Sequence, residues 1–202
     1  MVFKDFVNSS GAVIAGIDEA GRGALAGPVV AGACILSTRI PLSSLIRDSK
    51  QLTASEREDA YAWLSMHALF AAGIAEAGMI DSDGILAATE CAMQQAVEIL
   101  SRRLKPTYLI IDGRDHFWFD IPHSSIVRGD ESEPAISAAS IVAKVTRDRL
   151  MQNRSLLFSA YGFASHKGYG TEEHFRALQA HGPCAIHRRT FLKNTAFAMP
   201  HA

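Results

Sequence analysis

The chain has 202 residues, 48% of them hydrophobic, and a formal net charge of −1, enough apolar material for one substantial core and one domain. Three widely spaced cysteines, Cys34, Cys91 and Cys184, make neither a disulfide framework nor a metal-ligand pair, which points to a reducing, cytoplasmic setting. No apolar run approaches the roughly 18 residues of a membrane span, and MVFKDFVNSS lacks the apolar core of a signal peptide.

In chain order, Val13 to Leu36 reads VIAGIDEAGRGALAGPVVAGACIL. Its opening, Val13–Ile17, suits a buried strand that ends in two acids, Asp18 and Glu19. Unpaired buried carboxylates are costly, so adjacent acids here call for a cation or a wet cleft. Gly21-Arg22-Gly23 follows, where missing side chains let the backbone approach a ligand. Val29–Leu36 then returns to the core as a second strand, and Ser37–Lys50 reads as a loop. Thr53 caps a helix, with Glu56 at the capping-box position and Tyr61, Leu64 and Ala68 on one face. Leu69–Ala75 predicts a third strand. Met79–Arg103 predicts one long helix, weakened near Gly84, with Leu86, Met93, Val97 and Leu100 as its buried stripe.

Pro106 closes that helix, and Tyr108–Ile111 predicts a strand ending in Asp112-Gly113. Ser125–Arg128 predicts a fifth strand running into Gly129-Asp130. Ser132 and Pro134 open a helix whose alanines permit close approach to a sheet. Tyr161–Gly170 reads as a mobile segment; Thr171 then caps a short helix that Gly182-Pro183 stops. The order predicts an α/β domain with a five-stranded mixed sheet flanked by helices. Residues 1–154 form the catalytic part and 155–202 a small helical appendage completing a cleft, within one structural unit.

Charge is uneven along the chain. Residues 144–202 carry nine Lys/Arg against three Asp/Glu, a balance of +6, which leaves −7 for residues 1–143. An acidic front with a basic back fits a metal-binding cleft beside a phosphate-binding surface. If the strands pair side by side, Asp18, Glu19, Asp112 and Asp130 converge at one end of the sheet. Neighbouring strand residues face opposite ways, so Glu19 joins Asp18 only where the strand breaks, and the following glycines predict such a break. Four converging carboxylates repel one another unless a hard cation intervenes, and Mg²⁺ or Mn²⁺ prefers such oxygen donors. A pair of ions about 3.5–4 Å apart can hydrolyse a phosphodiester.

Ala15–Gly23, followed by Leu25-Ala26-Gly27-Pro28-Val29-Val30, resembles ribonuclease HII. So do Asp48-Ser49-Lys50, Ile111-Asp112-Gly113, Ile136–Ile141 with Ala143-Lys144-Val145, His166–Thr171, and Gly182-Pro183 with His187-Arg188. The matches run in the family's order from about residue 13 to 191. The resemblance implies a ribonuclease H-like fold and metal-dependent cleavage, with Mn²⁺ or Mg²⁺, of the RNA strand of RNA–DNA hybrids. It also implies incision 5′ of single ribonucleotides embedded in duplex DNA, leaving 3′-hydroxyl and 5′-phosphate ends.

By position, Asp18, Glu19, Asp112 and Asp130 match the family's catalytic, metal-binding acids. Gly21, Arg22 and Gly23 match its clamp on the 2′-hydroxyl and backbone, and Tyr169 matches the tyrosine that packs on the junction sugar. Only the 2′-hydroxyl separates a ribonucleotide from its DNA counterpart, so close backbone approach there makes physical sense. Arg22 in a surface salt bridge and Tyr169 in ordinary packing are the plain alternatives. Lys50, Lys144, Arg147 and Lys167 are either phosphate contacts or simply exposed cations; His166 and His187 are read as structural.

Ala24 stands where the family usually has Pro, Gly84 where it has Asn, and Arg128 where it has Lys. No long N-terminal extension of the ribonuclease HIII kind precedes the first motif, and Phe191–Ala202 holds no evident sliding-clamp motif. The expected partners are RNA–DNA hybrid and ribonucleotide-containing duplex, with no membrane and a monomeric protein. Gly21–Ala26 also fits a G-x-G-x-x-A dinucleotide fingerprint, but that motif must open a helix, and Pro28-Val29-Val30 opens a strand instead. A non-catalytic hybrid-binding protein would keep Tyr169 and the basic tail without needing four acids.

Overall fold

Two apolar runs separated by a glycine-rich loop pair with each other first, because the loop is too short to send the second strand elsewhere. β1 (Ile14–Ala20) and β2 (Val29–Leu36) form an antiparallel hairpin in which Gly16 faces Cys34 and Ala20 faces Val30. In this computed structural model, which describes residues 3–193, the expected capping box opens α1 (Ala54–His67): the Thr53 hydroxyl accepts from the Glu56 amide, and the Glu56 carboxylate accepts from the Thr53 amide. β3 (Ala68–Ala75) leaves α1 directly and adds antiparallel to β2.

The predicted long helix is two helices, α2 (Ala77–Asp83) and α3 (Ile85–Ser101). Gly84 between them has φ +84°, a left-handed conformation that ends one helix and starts the next, so glycine here breaks the helix rather than weakening it. The predicted stripe is corrected at one position: Met93, Val97 and Leu100 are buried, but Leu86 lies exposed just after the break.

β4 (Tyr108–Asp112) and β5 (His123–Ile126) complete a five-stranded sheet in the order β3-β2-β1-β4-β5, with β4 parallel to β1 and β5 parallel to β4. β5 lies two residues earlier than predicted. Arg128 takes a left-handed φ of 57° and turns the chain into α4 (Gly129–Ser132), so Asp130 sits on a helical turn rather than at a strand end. Pro134 occupies the first turn of α5 (Pro134–Leu157) as expected, and α5 runs straight through residue 154, where the catalytic part was expected to end. α6 (Phe163–His166), α7 (Glu172–His181) and α8 (Arg189–Leu192) follow.

The sheet has a different partner on each face. α3 packs Met93, Val97 and Leu100 with Ile17, Leu109 and Ile111, while α5 and α1 pack Ala138, Ile141, Val142 and Leu64 with Cys34 on the other side. Burying such side chains supplies about 1.5–3 kcal/mol each. The α5 layer is unusually close. A Cβ on Gly16 would lie 2.1 Å from the Ala135 carbonyl carbon, and one on Gly32 would lie 2.2 Å from the Ala139 oxygen. Glycine on β1 and β2 against alanine on α5 therefore lets backbone meet backbone, and lowers the serines of α5 onto the strand ends. The segment Tyr161–Gly170, read as mobile, is packed: Tyr161 and Phe163 stack in a third small core with Met151 and Ala26. Among the described residues no helix is long and apolar enough to cross a membrane, and residues 194–202 of the tail expected to lack a clamp motif lie outside the described residues.

Candidate active site

Asp18 and Asp112 end up adjacent because β1 and β4 pair in parallel, Ile17 beside Ile111. Asp130 reaches them through the turn at Arg128: the Gly129 amide donates to Asp112 Oδ1 at 2.8 Å, and the Asp130 amide points at the same oxygen at 3.4 Å. Asp18, Asp112 and Asp130 each offer one oxygen within 4.8 Å of the others. Two serines of α5 secure the group. Ser140 lines the same cavity as Asp18 and lies 2.7 Å from the Ser49 hydroxyl, and Ser137 donates to the Asp130 carbonyl at 2.8 Å. The Lys50 ammonium donates to Asp130 Oδ2 at 2.8 Å.

Glu19 behaves differently. β1 does not break before the glycines; it runs through Asp18, Glu19 and Ala20, which pair with Gly32, Ala31 and Val30. Strand alternation then turns Glu19 away from Asp18. Its carboxylate accepts from Arg22 Nη1 at 3.2 Å, and the same nitrogen donates to Asp115 at 2.8 Å. Glu19 still lines, with Asp18, a cavity of about 150 Å³ whose wall also includes Gly21, Lys50, Ser140 and Tyr169. Arg22 is thus held in ion pairs at the edge of the acids.

Burial, then the neighbouring Glu19 and Asp112 charges, hold the Asp18 carboxyl well above its ordinary range. Burial and the Asp130 charge raise Asp112, and burial raises Glu19 against the pull of Arg22. Three clustered oxygens, two of them on carboxyls pushed up by burial and like charge, fit a hard divalent ion: the donors are of the kind Mg²⁺ and Mn²⁺ prefer, and the ion relieves the repulsion.

The glycine loop is held from behind by two buried arginines that have main-chain oxygens where counter-ions would be expected. Arg188 donates to the Gly27, Arg22 and Gly21 carbonyls at 3.0, 2.7 and 2.7 Å. Arg147 donates to Pro28 and Ala26 at 2.9 and 3.2 Å. Burial and the neighbouring Arg147 lower Arg188 to about 9. Gly21 (φ +95°) has no room for a side chain, since its Cβ would lie 2.0 Å from Arg147 Nε; Gly23 faces open space. The loop is also tied to Gly168, whose carbonyl accepts from the Leu25 amide at 2.8 Å and the Ala26 amide at 3.2 Å.

Arg147, a candidate phosphate contact on its charge, is fully buried and cannot reach substrate. Lys144, Lys167 and Tyr169 instead line a cleft of about 620 Å³ that adjoins the acidic cavity, Lys144, Tyr169 and Arg57 bordering both. Lys144 pairs with Asp148 at 2.8 Å and lies 5.5 Å from the Tyr169 ring centre; Lys167 donates to the Ala164 carbonyl. Sequence reasoning assigned no role to Ser137, Ser140, Arg57, Asp115 or Arg188. The three-residue spacing of Ser137 and Ser140, one turn apart on the sheet-facing side of α5, was the available signal for those two.

Residues 15–195 match the family model described as Ribonuclease HII. The ribonuclease HII of Geotalea daltonii is 47% identical over 191 residues, covering 94% of this chain and 87% of that protein. That of an Acidovorax species is 51% identical over 181 residues, covering 89% and 85%. In three dimensions the chain is similar to the ribonuclease HII of Archaeoglobus fulgidus, solved in a complex with PCNA (TM-score 0.75, 22% identity, 93% of this chain and 98% of that one). The ribonuclease H2 of Pyrococcus horikoshii superposes with TM-score 0.69 at 24% identity, covering 92% and 94%.

Proposed function

The chain belongs to the ribonuclease HII family and is accordingly a ribonuclease H, an endonuclease for RNA–DNA hybrids; from that premise we propose that it also incises duplex DNA 5′ of a single embedded ribonucleotide, leaving 3′-hydroxyl and 5′-phosphate ends. The observation that carries this reading is the meeting of three carboxylate oxygens within 4.8 Å, one of them on Asp18, which lines with Glu19 a cavity whose wall also holds Gly21 and Tyr169. Cleavage chemistry and ribose recognition adjoin each other on this reading, an arrangement that Asp18, Gly21 and Tyr169 lining one cavity supports.

On this reading Asp18, Asp112 and Asp130 hold the divalent ion or ions, and Glu19 serves as the fourth acid of the pocket. Mn²⁺ or Mg²⁺, when bound, supplies charge neutralisation at the phosphodiester and activation of water. The chain's own groups do the rest. Gly21 and Gly23, with no side chains, allow the backbone within hydrogen-bonding distance of a 2′-hydroxyl, while Arg22 is oriented by Glu19 and Asp115. Tyr169 offers its ring face to the sugar at the RNA–DNA junction. Lys50, Lys144 and Lys167 meet backbone phosphates along the adjoining cleft. On this reading the protein works in the cytoplasm, which free rather than bridged cysteines support, and acts as a monomer.

The test is incision of labelled duplexes, one a long hybrid and one DNA with a single ribonucleotide, with Mn²⁺, with Mg²⁺ and with chelator. Metal-dependent cuts on the 5′ side of the ribonucleotide, with ends that a ligase accepts after 3′-hydroxyl mapping, are expected. Tight binding of both duplexes with no cut under any metal would leave a hybrid-binding protein instead.

A further inference from the structure

Three buried histidines, His166, His174 and His187, cluster beside the cleft, and every ring nitrogen among them has a partner. The Cys184 amide donates to His187 Nδ1 at 2.9 Å, so that nitrogen carries a lone pair and the proton sits on Nε2. His187 Nε2 lies 3.0 Å from His174 Nε2, which must then accept. The remaining nitrogen of His174, Nδ1, donates to the Tyr169 carbonyl at 2.9 Å. His166 stacks on His174 with ring centres 4.5 Å apart, accepts from the Gly168 amide on Nδ1 at 3.2 Å, and donates from Nε2 to the Tyr161 carbonyl at 2.7 Å. Backbone donors and acceptors at both ends of this chain leave no choice of tautomer. All three rings are neutral.

Building on the nuclease reading, we propose that His187 and His174 form a neutral hydrogen-bond relay that positions Tyr169, making both histidines positioning residues for selection of the RNA–DNA junction. The relay starts at the turn after α7 and ends on the main chain of the residue whose ring borders both the acidic cavity and the cleft. The Tyr169 amide is fixed at the same time by donation to the His166 carbonyl at 3.0 Å. Gly168, one residue earlier, is tied to the Leu25 and Ala26 amides of the glycine loop. The ring and the loop that would judge a ribose are therefore spaced by one continuous set of hydrogen bonds. A second proton on His174 Nε2 would point at the proton of His187 Nε2, and one on His187 Nδ1 would point at the Cys184 amide. Burial lowering both histidines, His187 to about 4, agrees with rings kept neutral.

Imidazole nitrogen NMR on the wild-type protein reads the relay without any cleavage: His174 protonated on Nδ1, with His187 and His166 on Nε2, is expected, and His174 protonated on Nε2 overturns it. Function is read as the ratio of single-ribonucleotide incision to long-hybrid cleavage, in which the shared acids cancel. His174→Leu removes the donor to Tyr169 and is expected to lower that ratio about five- to tenfold, the effect of one lost hydrogen bond. His174→Asn keeps an N–H near the Nδ1 position and is expected to stay within about twofold of wild type. An Asn variant no better than Leu, or a Leu variant with the wild-type ratio, overturns the positioning role. A wild-type protein that cuts neither duplex overturns the nuclease reading and this role in selection together, whereas the tautomers still decide the relay itself.

Discussion

Asp18 is buried and Asp112 half-buried beside groups of their own sign, and the Lys50 ammonium donates to Asp130. Arg147 and Arg188 are also buried, yet their partners are main-chain carbonyls of the glycine loop. The acids are left with unmet electrostatic demand, which a cation satisfies, while the arginines turn their N–H groups to the loop, with Arg147 Nη1 left buried and unpartnered. One region trades stability for a binding site, and the other holds that site's rim in place. Carboxylate counter-ions for the arginines would have added further acids beside a cluster that has too much negative charge already.

The sharpest way to break this comparison is Asp18→Asn. The asparagine oxygen still accepts from the Glu19 amide, but the charge is gone. Metal-dependent cleavage is expected to fall by more than about a hundredfold, since even the outer partners of metal ligands cost 10–100-fold. The metal-free protein is expected to melt higher, because a repelled buried charge has been removed. A lower melting temperature in calorimetry would show that the cluster is not strained.

Arg188→Ala should act in the opposite sense. Three carbonyls lose their donor, and stability is expected to drop by about 3 kcal/mol in urea titration. Arg188→Lys should recover little, since one ammonium cannot span the three oxygens of Gly21, Arg22 and Gly27.

Acid separates the regions next. His187 is lowered from 6.5 to about 4 by burial and by His174, so the unfolded chain takes up its proton first. The stability this gives is fully present above pH 6.5 and is lost as pH falls from there to 4. Compared with His187→Asn, wild type is expected to lose about 2 kcal/mol more between pH 7.5 and 4.5, after allowing for screening. Equal losses in the two proteins would mean that His187 titrates normally.

The smallest contrast lies within the glycine loop. Gly21→Ala meets both a left-handed backbone and Arg147, and is expected to cost about 1–2 kcal/mol. Gly23→Ala meets open space and should change stability by less than about 0.5 kcal/mol. Similar losses at both positions would indicate that the loop is not braced from behind.

Much of the fold was legible where one local rule decided the outcome. The Thr53–Glu56 capping box, the Thr171 cap and the Pro134 helix start came out as expected because each depends on residues within one turn. The helix from Met79 did not, because Gly84 could either weaken or end a helix, and only its positive φ distinguishes the two. Arg147 and Arg188 were illegible as supports. An arginine reads as a surface cation unless the chain's folding supplies buried carbonyls, and those carbonyls lie more than a hundred residues away.

The sequence by itself determined which residues could do the chemistry: strand, acid and glycine follow one another from β1 into its loop, Asp112 ends an apolar run, and Asp130 follows a short predicted strand. It also determined the family, through motifs spread along nearly the whole chain. Tertiary structure decided how those residues are used. Parallel pairing of β1 with β4 brought Asp18 to Asp112, the left-handed turn at Arg128 carried Asp130 to both, and an unbroken β1 sent Glu19 to Arg22. The reason is that side-chain direction depends on where a strand ends and what pairs beside it, and neither is a property of the residue itself.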